Sequence, residues 1–501
     1  MKFFSKCIGC AAGIIFAAVS ISCSRSSSKK IKTDVAIIGG GGAGMSAVIR
    51  ARQLGLNVVL VEKMSFLGGA ISISGGNQVV MGSDLQKKAG VSDDSAESMI
   101  EDFKANGAGL NIDELIKLYA DHVGETSDWL SSYAGVNYNV DAGLHTLAEY
   151  KHNRELAYVG GGAGAGKALR EAVEKSKAKV LLNTRAEKLL TDKNGTVAGI
   201  EAKDDKGITY TITAKAVLLA TGGYGNNKDL LTEEMRNALY YGPVSSTGDG
   251  IIMATADPVK AATRLMQYGK RYPNGIEIAK GLAKSTINGN YAAYKLSGIL
   301  INKAGNRIVN EKASNRTVLE AEIKQDGQMA YLFMDAETFE AFSKNLSAGG
   351  ISANDISKWV ASNGSTTPVF AHADTINALA SQMNINPETI KNTVALYNSF
   401  VVAKSDKAFG RSPDYMTKTI GNGPYYMVEQ KPRFATTMGG LVVTTSLEVQ
   451  NTDGQTIPGL YAAGEIVGGV MGDDSPSGAN NGWALTSGKL AAEAIATKLG
   501  K

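Results

Sequence analysis

The chain has 501 residues, 44% of them hydrophobic and 20% charged, an ordinary globular composition too long for one small domain. Its net charge is +4, but Lys2, Lys6, Arg25, Lys29, Lys30 and Lys32 all lie at the N-terminus; removing those six from 52 basic residues leaves 46 against 48 acidic ones, which excludes a nucleic-acid footprint on the body. The three cysteines, Cys7, Cys10 and Cys23, fall within the first 23 residues, so the body holds no disulfide, no cysteine metal site and no thiol nucleophile.

Met1 to Lys6 carries two lysines, Ile8 to Ile21 is an apolar run, and small residues lead to Cys23. That order predicts a secretory signal peptide over 1–22, and the apolar region is too short for a comfortable membrane span. Ser20-Ile21-Ser22-Cys23 resembles a bacterial lipobox, with Ser20 where a leucine is usual. The expectation is an acylated Cys23, a flexible tether over 23–32 and a periplasm-facing lipoprotein of the cell envelope; cleavage nearby with Cys23 incidental is the alternative.

Asp34 to Ile38 reads as a short buried strand, and Gly39-Gly-Gly-Gly-Ala-Gly44 opens an amphipathic helix running to Leu54. Val58 to Val61 is a second strand, closed by Glu62. Gly39 permits the turn, Gly41 lets the backbone approach a diphosphate, and Gly44 packs helix on strand. Glu62 is placed to accept from ribose hydroxyls. The whole strand, turn, helix, strand and acid unit makes this a specific dinucleotide signal. Lys63 and the later glycines Gly68-Gly69 and Gly75-Gly76 supply a second loop for a long cofactor.

Gly161 to Lys167 superficially matches a nucleotide phosphate loop, but Ala168 offers no hydroxyl for Mg²⁺ and no strand leads directly into it, so it reads as a helix lead-in. No second strand-glycine-helix unit follows. A nicotinamide domain is therefore not expected, and a protein partner is expected to supply electrons.

Later segments are Val217-Leu-Leu-Ala-Thr-Gly-Gly-Tyr-Gly225, Thr247-Gly-Asp-Gly250, Asn306-Arg-Ile-Val-Asn-Glu311, Phe409-Gly-Arg411, Thr437-Met-Gly-Gly440 and Pro458-Gly-Leu-Tyr-Ala-Ala-Gly-Glu465. Together with the first glycine turn they resemble the flavocytochrome c fumarate reductase, urocanate reductase and 3-ketosteroid dehydrogenase family, from about Thr33 to Lys498. The resemblance implies an α/β fold: a Rossmann-like FAD-binding domain split between 33–268 and 434–501, with an inserted α+β capping domain over 269–433. It implies non-covalent FAD held by Gly39, Gly41, Gly44, Glu62, Lys63, Gly69, Ser74, Gly76, Thr221, Gly222, Asp249, Gly464 and Glu465. It further implies hydride transfer between flavin N5 and one carbon of a C=C bond, with an acid delivering the proton to the other.

In the fumarate reductases that acid is an arginine shortly after the Asn-Glu pair. The matching residue is Arg316, one position later than the family spacing; capping a helix or pairing with Glu320 is the alternative. The dicarboxylate clamp is missing: Ala435-Thr436 replaces two histidines, Ser475 an arginine, and Tyr272 a histidine before Pro273. None of the four histidines, His122, His145, His152 and His372, matches a catalytic position. Fumarate is therefore a poor substrate expectation. Tyr272 is a candidate catalytic residue, as in urocanate reductase. Thr436, Ser475, Tyr291 and Tyr294 are substrate candidates that suit a larger, less charged enoate or enone. No metal site is expected. The implied partner is a membrane-side cytochrome or FMN protein. A dehydrogenase running in the opposite direction and a non-catalytic flavin electron carrier remain alternatives.

Overall fold

The computed structural model describes residues 28–501, so the expected leader and Cys23 lie outside the described residues. The first strand is Ser28–Ile38. Ser28 to Lys32, expected to be tether, are instead paired in parallel register with Thr209 to Thr213. The reason is the partner: Thr209–Leu219 is itself 11 residues long and continues the ladder, satisfying backbone groups that a loose tether would leave to water.

Val35 to Ile38 and Val58 to Val61 are buried without alternation, the pattern of strands covered on both faces. Across the main sheet the order is Glu448–Gln450, Thr456–Ala462, Thr209–Leu219, Ser28–Ile38, Val58–Val61 and Lys179–Leu181. The last five are mutually parallel. Thr184–Thr191 and Val197–Asp204 extend Thr209–Leu219 as an antiparallel hairpin. Helix Gly42–Gln53 packs against the final helix, Ala479–Lys498. There Ser46 Oγ donates to Leu485 O at 2.7 Å, and Arg50 pairs with Glu493 at 2.7 Å. The end of the chain thus returns to complete the first dinucleotide unit, giving the α/β fold expected, split in sequence.

A second sheet of seven strands is built on Tyr425–Thr437. It pairs antiparallel with Gly269–Ala279, Ala330–Asp335 and Phe370–Ala373, and parallel with Leu239–Tyr240. Met427 and Val428 on that strand sit in two smaller apolar clusters, whereas Phe434 belongs to the large cluster of the main sheet. One strand therefore crosses from layer to layer, and the cavity lies beside the crossing. Behind it, Glu311 accepts from Arg307 at 2.8 Å and from Arg411 at 3.0 Å, and Arg307 reaches Asp406 at 2.8 Å. Arg307, Glu311, Asp406 and Arg411 thus form a buried ion network within the second layer.

Candidate active site

At the end of the first strand Gly39 adopts φ +99°, and a Cβ there would lie 2.4 Å from Ala220 O. A Cβ on Gly44 would lie 1.8 Å from Gly39 O, so the helix seats directly on the turn. Gly41 differs: nothing stands within 4 Å of its Cβ direction. Helix Gly42–Gln53 starts there with no side-chain cap and no acidic residue in its first turn. Its free N–H groups and positive dipole end therefore face open space, a cradle suited to a diphosphate. Gly69, at φ +53°, closes over this cradle, its Cβ direction 3.0 Å from Gly41 Cα.

Gly39, Gly41 and Gly69 line one cavity of about 360 Å³. Of the residues expected to hold FAD, Gly39, Gly41, Glu62, Lys63, Gly69, Ser74, Thr221, Gly222, Asp249, Gly464 and Glu465 are on its wall. Gly44 lies beneath it. Gly76 is a correction: its Cβ direction meets Gly162 N at 2.3 Å, so it makes room for another backbone segment, and Gly75 takes the wall position. The run from Gly161 forms the opening turns of helix Gly161–Lys175, and a Cβ on Gly162 would meet Ile71 O at 2.2 Å. That glycine run serves helix packing.

Glu62 already accepts from Gly40 N at 2.6 Å and Met64 N at 2.8 Å, which fixes the carboxylate at the cavity edge. Lys63 Nζ donates to Thr247 Oγ1 at 2.6 Å and Asp249 Oδ2 at 3.0 Å, and Arg185 reaches Asp249 Oδ1 at 2.7 Å. Burial pushes the Asp249 carboxyl up, but Thr247, Lys63 and Arg185 outweigh it and hold it below its ordinary value. Thr221 Oγ1 is buried with no hydrogen-bond partner. A second helix N-terminus, at Ala479, also lacks a side-chain cap and opens onto the same cavity. An open glycine cradle, two uncapped helix ends and an orphaned hydroxyl fit an elongated anionic dinucleotide such as FAD.

Glu465 accepts from Thr437 N at 2.9 Å and Thr437 Oγ1 at 3.0 Å. Burial raises its carboxyl from 4.5 to about 7, against the pull of the Thr437 bonds. The folded protein thus keeps a proton on Glu465 that the unfolded chain releases near 4.5, so raising pH between 4.5 and about 7 favours unfolding. Apoprotein stability is expected to fall across that window by up to about 3 kcal/mol and then level off. Urea unfolding at pH 5, 6, 7 and 8 measures it, and Glu465→Gln should flatten the slope.

The wall continues with Tyr241, Lys270, Tyr272, Ala435 and Thr436. Burial pushes the Tyr272 phenol up to about 12, although Lys270 and Arg433 pull the other way. The Lys270 Nζ stands 5.3 Å from the Tyr272 ring centroid, donates to Ser475 O and lies 3.5 Å from Asp474 Oδ1. Burial opposes its charge, but Tyr272, Asp474 and Glu149 outweigh it, raising Lys270 above the ordinary lysine range. The Arg433 guanidinium is stacked between Tyr241, at 4.3 Å, and Tyr272, at 4.6 Å. It hydrogen-bonds Asn274 and, among the described residues, forms no ion pair.

The other expected site residues are placed elsewhere. Arg316 lies in the first turn of helix Asn315–Ile323 and gives two 3.0 Å bonds to Asp473 and one of 2.7 Å to Asn106 O. It is absent from the cavity wall, so the proton-delivery role expected from its motif is not met by its position. Its partner is Asp473 rather than Glu320. Tyr291 lies outside the cavity with the Lys312 ammonium 4.8 Å from its ring, and Tyr294 is buried in the second layer, accepting from Asn290 at 3.1 Å. Ser475 is buried with its hydroxyl bonded to Asn480 at 2.8 Å; only its carbonyl serves the site, through Lys270. Tyr272 and Thr436 do reach the cavity. Sequence reasoning missed Lys270, Tyr241 and Arg433. Strand Gly269–Ala279 brings Lys270, two residues before Tyr272, to the same cavity wall.

A family model described as FAD binding domain matches residues 34–481. The chain is 31% identical over 468 residues to the fumarate reductase (cytochrome) of Shewanella frigidimarina, covering 92% of this chain and 77% of that protein. It is 31% identical over 449 residues to the urocanate reductase of Eggerthella lenta, covering 88% and 70%. The solved open conformation of a flavocytochrome c3 fumarate reductase superposes with a TM-score of 0.77 at 28% identity, covering 93% of this chain and 78% of that one.

Proposed function

Because the chain belongs to the FAD-binding domain family, whose members related to it are flavin-dependent, fumarate-reductase-like oxidoreductases acting on CH–CH groups, we propose that it reduces the C=C bond of an enoate or enone at the cell envelope. The observation that carries this reading is Tyr272, a phenol on the wall of the cofactor cavity with two cations against its ring. Bound FAD supplies the hydride.

Tyr272 supplies the proton. Its phenol keeps its proton through neutral pH, as a donor must, and the phenolate left behind is stabilised by Arg433 on its ring face. Thr436 and Tyr241 shape the wall against which the alkene lies. Fumarate is a poor substrate in this reading, because Ala435, Thr436 and Ser475 stand where the family clamps a second carboxylate. Electrons come from a membrane-side cytochrome or FMN protein, and the N-terminal leader with Cys23 supports an envelope location.

The test is anaerobic reduction of the purified flavoprotein by reduced viologen, then mixing with a panel of alkenes that includes fumarate. Reoxidation by enoates or enones, faster than by fumarate, is the expected result. Reduction of the oxidised flavoprotein by a saturated ketone, in a parallel sample without viologen, would instead make the protein a dehydrogenase, and no reaction with either class would leave it a carrier.

A further inference from the structure

Of the cations on the cavity wall, Lys63 and Arg185 are paired with Asp249, whereas Lys270 stands beside Tyr272. Lys270 is 8% exposed, and its chain rises from strand Gly269–Ala279. Asp474 and Glu149 both favour its charge. Ser475 contributes a carbonyl, and Asp474, 3.5 Å away, also faces Arg316 at 3.9 Å. Arg433, 2% exposed, lies off the cavity wall and is held by Asn274. An ammonium carries three N–H donors, and among the described residues Lys270 gives one hydrogen bond, so donors remain on the cavity wall for an acceptor.

We propose that Lys270 anchors a single carboxylate of the substrate, so that the preferred substrate class is a mono-carboxylate enoate with an uncharged far end. The inference deepens the reductase reading and rests on it. The remaining wall, Tyr241, Ala435 and Thr436, carries no charge to hold a second acid group. Lys270 and Tyr272 both line the cavity, with the Lys270 Nζ 5.3 Å from the Tyr272 ring centroid. A carboxylate held by Lys270 therefore brings its α-carbon toward the Tyr272 hydroxyl. Hydride adds to the β-carbon, the π pair moves to the α-carbon, and the phenol proton forms the α C–H bond. The charge that develops on the carboxylate meanwhile lies against the ammonium. Lys270 was not among the sequence candidates, and it turns the expected loss of charge at this pocket into a reduction from two anchoring groups to one.

The test compares wild type, Lys270→Met and Lys270→Arg as FAD-loaded full chains, with cinnamate against cinnamamide as oxidants and calorimetric binding of 3-phenylpropionate as a readout free of turnover. In Lys270→Met the ratio of kcat/KM for acid over amide should fall about 100-fold, mostly through KM, with Lys270→Arg in between. The dissociation constant for 3-phenylpropionate should rise by a similar factor while the flavin spectrum stays unchanged. Amide reduced as well as acid by wild type, or unaltered 3-phenylpropionate binding in Lys270→Met, would overturn the anchor and leave the reductase standing. Loss of that binding in Lys270→Met with no alkene reduced by any form would support the anchor and overturn the reductase.

Discussion

Tyr272→Phe is expected to leave flavin bound and reducible while slowing its reoxidation by an alkene about 10²- to 10⁴-fold, the usual worth of a positioned general acid. The substitution removes one oxygen and keeps the ring that Arg433 stacks on at 4.6 Å, so the wall should hold its shape. Stopped-flow reoxidation of the reduced enzyme isolates the step, and a solvent isotope effect on the wild-type rate, lost in the variant, would tie it to proton transfer. With the phenol at about 12, the wild-type rate should be flat through neutral pH and decline only in alkali. Arg316→Ala is the internal contrast. It breaks the two bonds to Asp473 outside the cavity, and its rate should fall less than about tenfold, since an exposed ion pair is worth little. The reverse ranking, a nearly normal Tyr272→Phe beside a dead Arg316→Ala, would return the acid to the arginine and require the second layer to rearrange over substrate.

The contrast between these two residues shows which parts of the site can be read from sequence. The cofactor half was legible because each requirement is local. Gly39 needs a positive φ, Gly44 needs a bare Cα against Gly39 O, and Glu62 closes the second strand within the same unit. The substrate half depends on side chains brought together from distant segments. Arg316 was chosen from a motif whose spacing it misses by one residue, and its direction is decided by Asp473, 157 residues away. Lys270 and Arg433 come from two strands that meet only when the second sheet forms. Tyr291 and Tyr294 sit three residues apart on one helix, and the packing of that helix sends one to the surface and the other inward. Even within the glycine loops, the choice between Gly75 and Gly76 turned on the run at Gly161, which presses on Gly76 from outside. Similarly, Ser28 to Lys32 are a strand because their partner is long enough to hold them.

Gly41→Ala and Gly44→Ala should separate cofactor binding from folding, although the two glycines are three residues apart. At Gly41 the backbone is extended, with φ −79°, and a methyl group would meet no protein atom within 4 Å. The apoprotein should therefore melt within a degree or two of wild type. Its methyl nevertheless fills the cradle in front of the helix N-terminus, and crowding of that kind costs about 1–3 kcal/mol. FAD affinity should drop by about 10- to 100-fold, read by fluorescence titration of the apoprotein. At Gly44 the methyl lies 1.8 Å from Gly39 O, a backbone atom that cannot swing away. The helix must lift from the strand, so Gly44→Ala should lower the apoprotein melting temperature as well as flavin affinity. A Gly41→Ala protein that binds FAD as tightly as wild type would mean that the diphosphate lies elsewhere. Loss of stability in Gly41→Ala would mean that its open Cβ direction is filled by protein in solution. Only a stable, weakly yellow Gly41→Ala beside an unstable Gly44→Ala matches a helix whose first free N–H groups are kept bare for a bound anion.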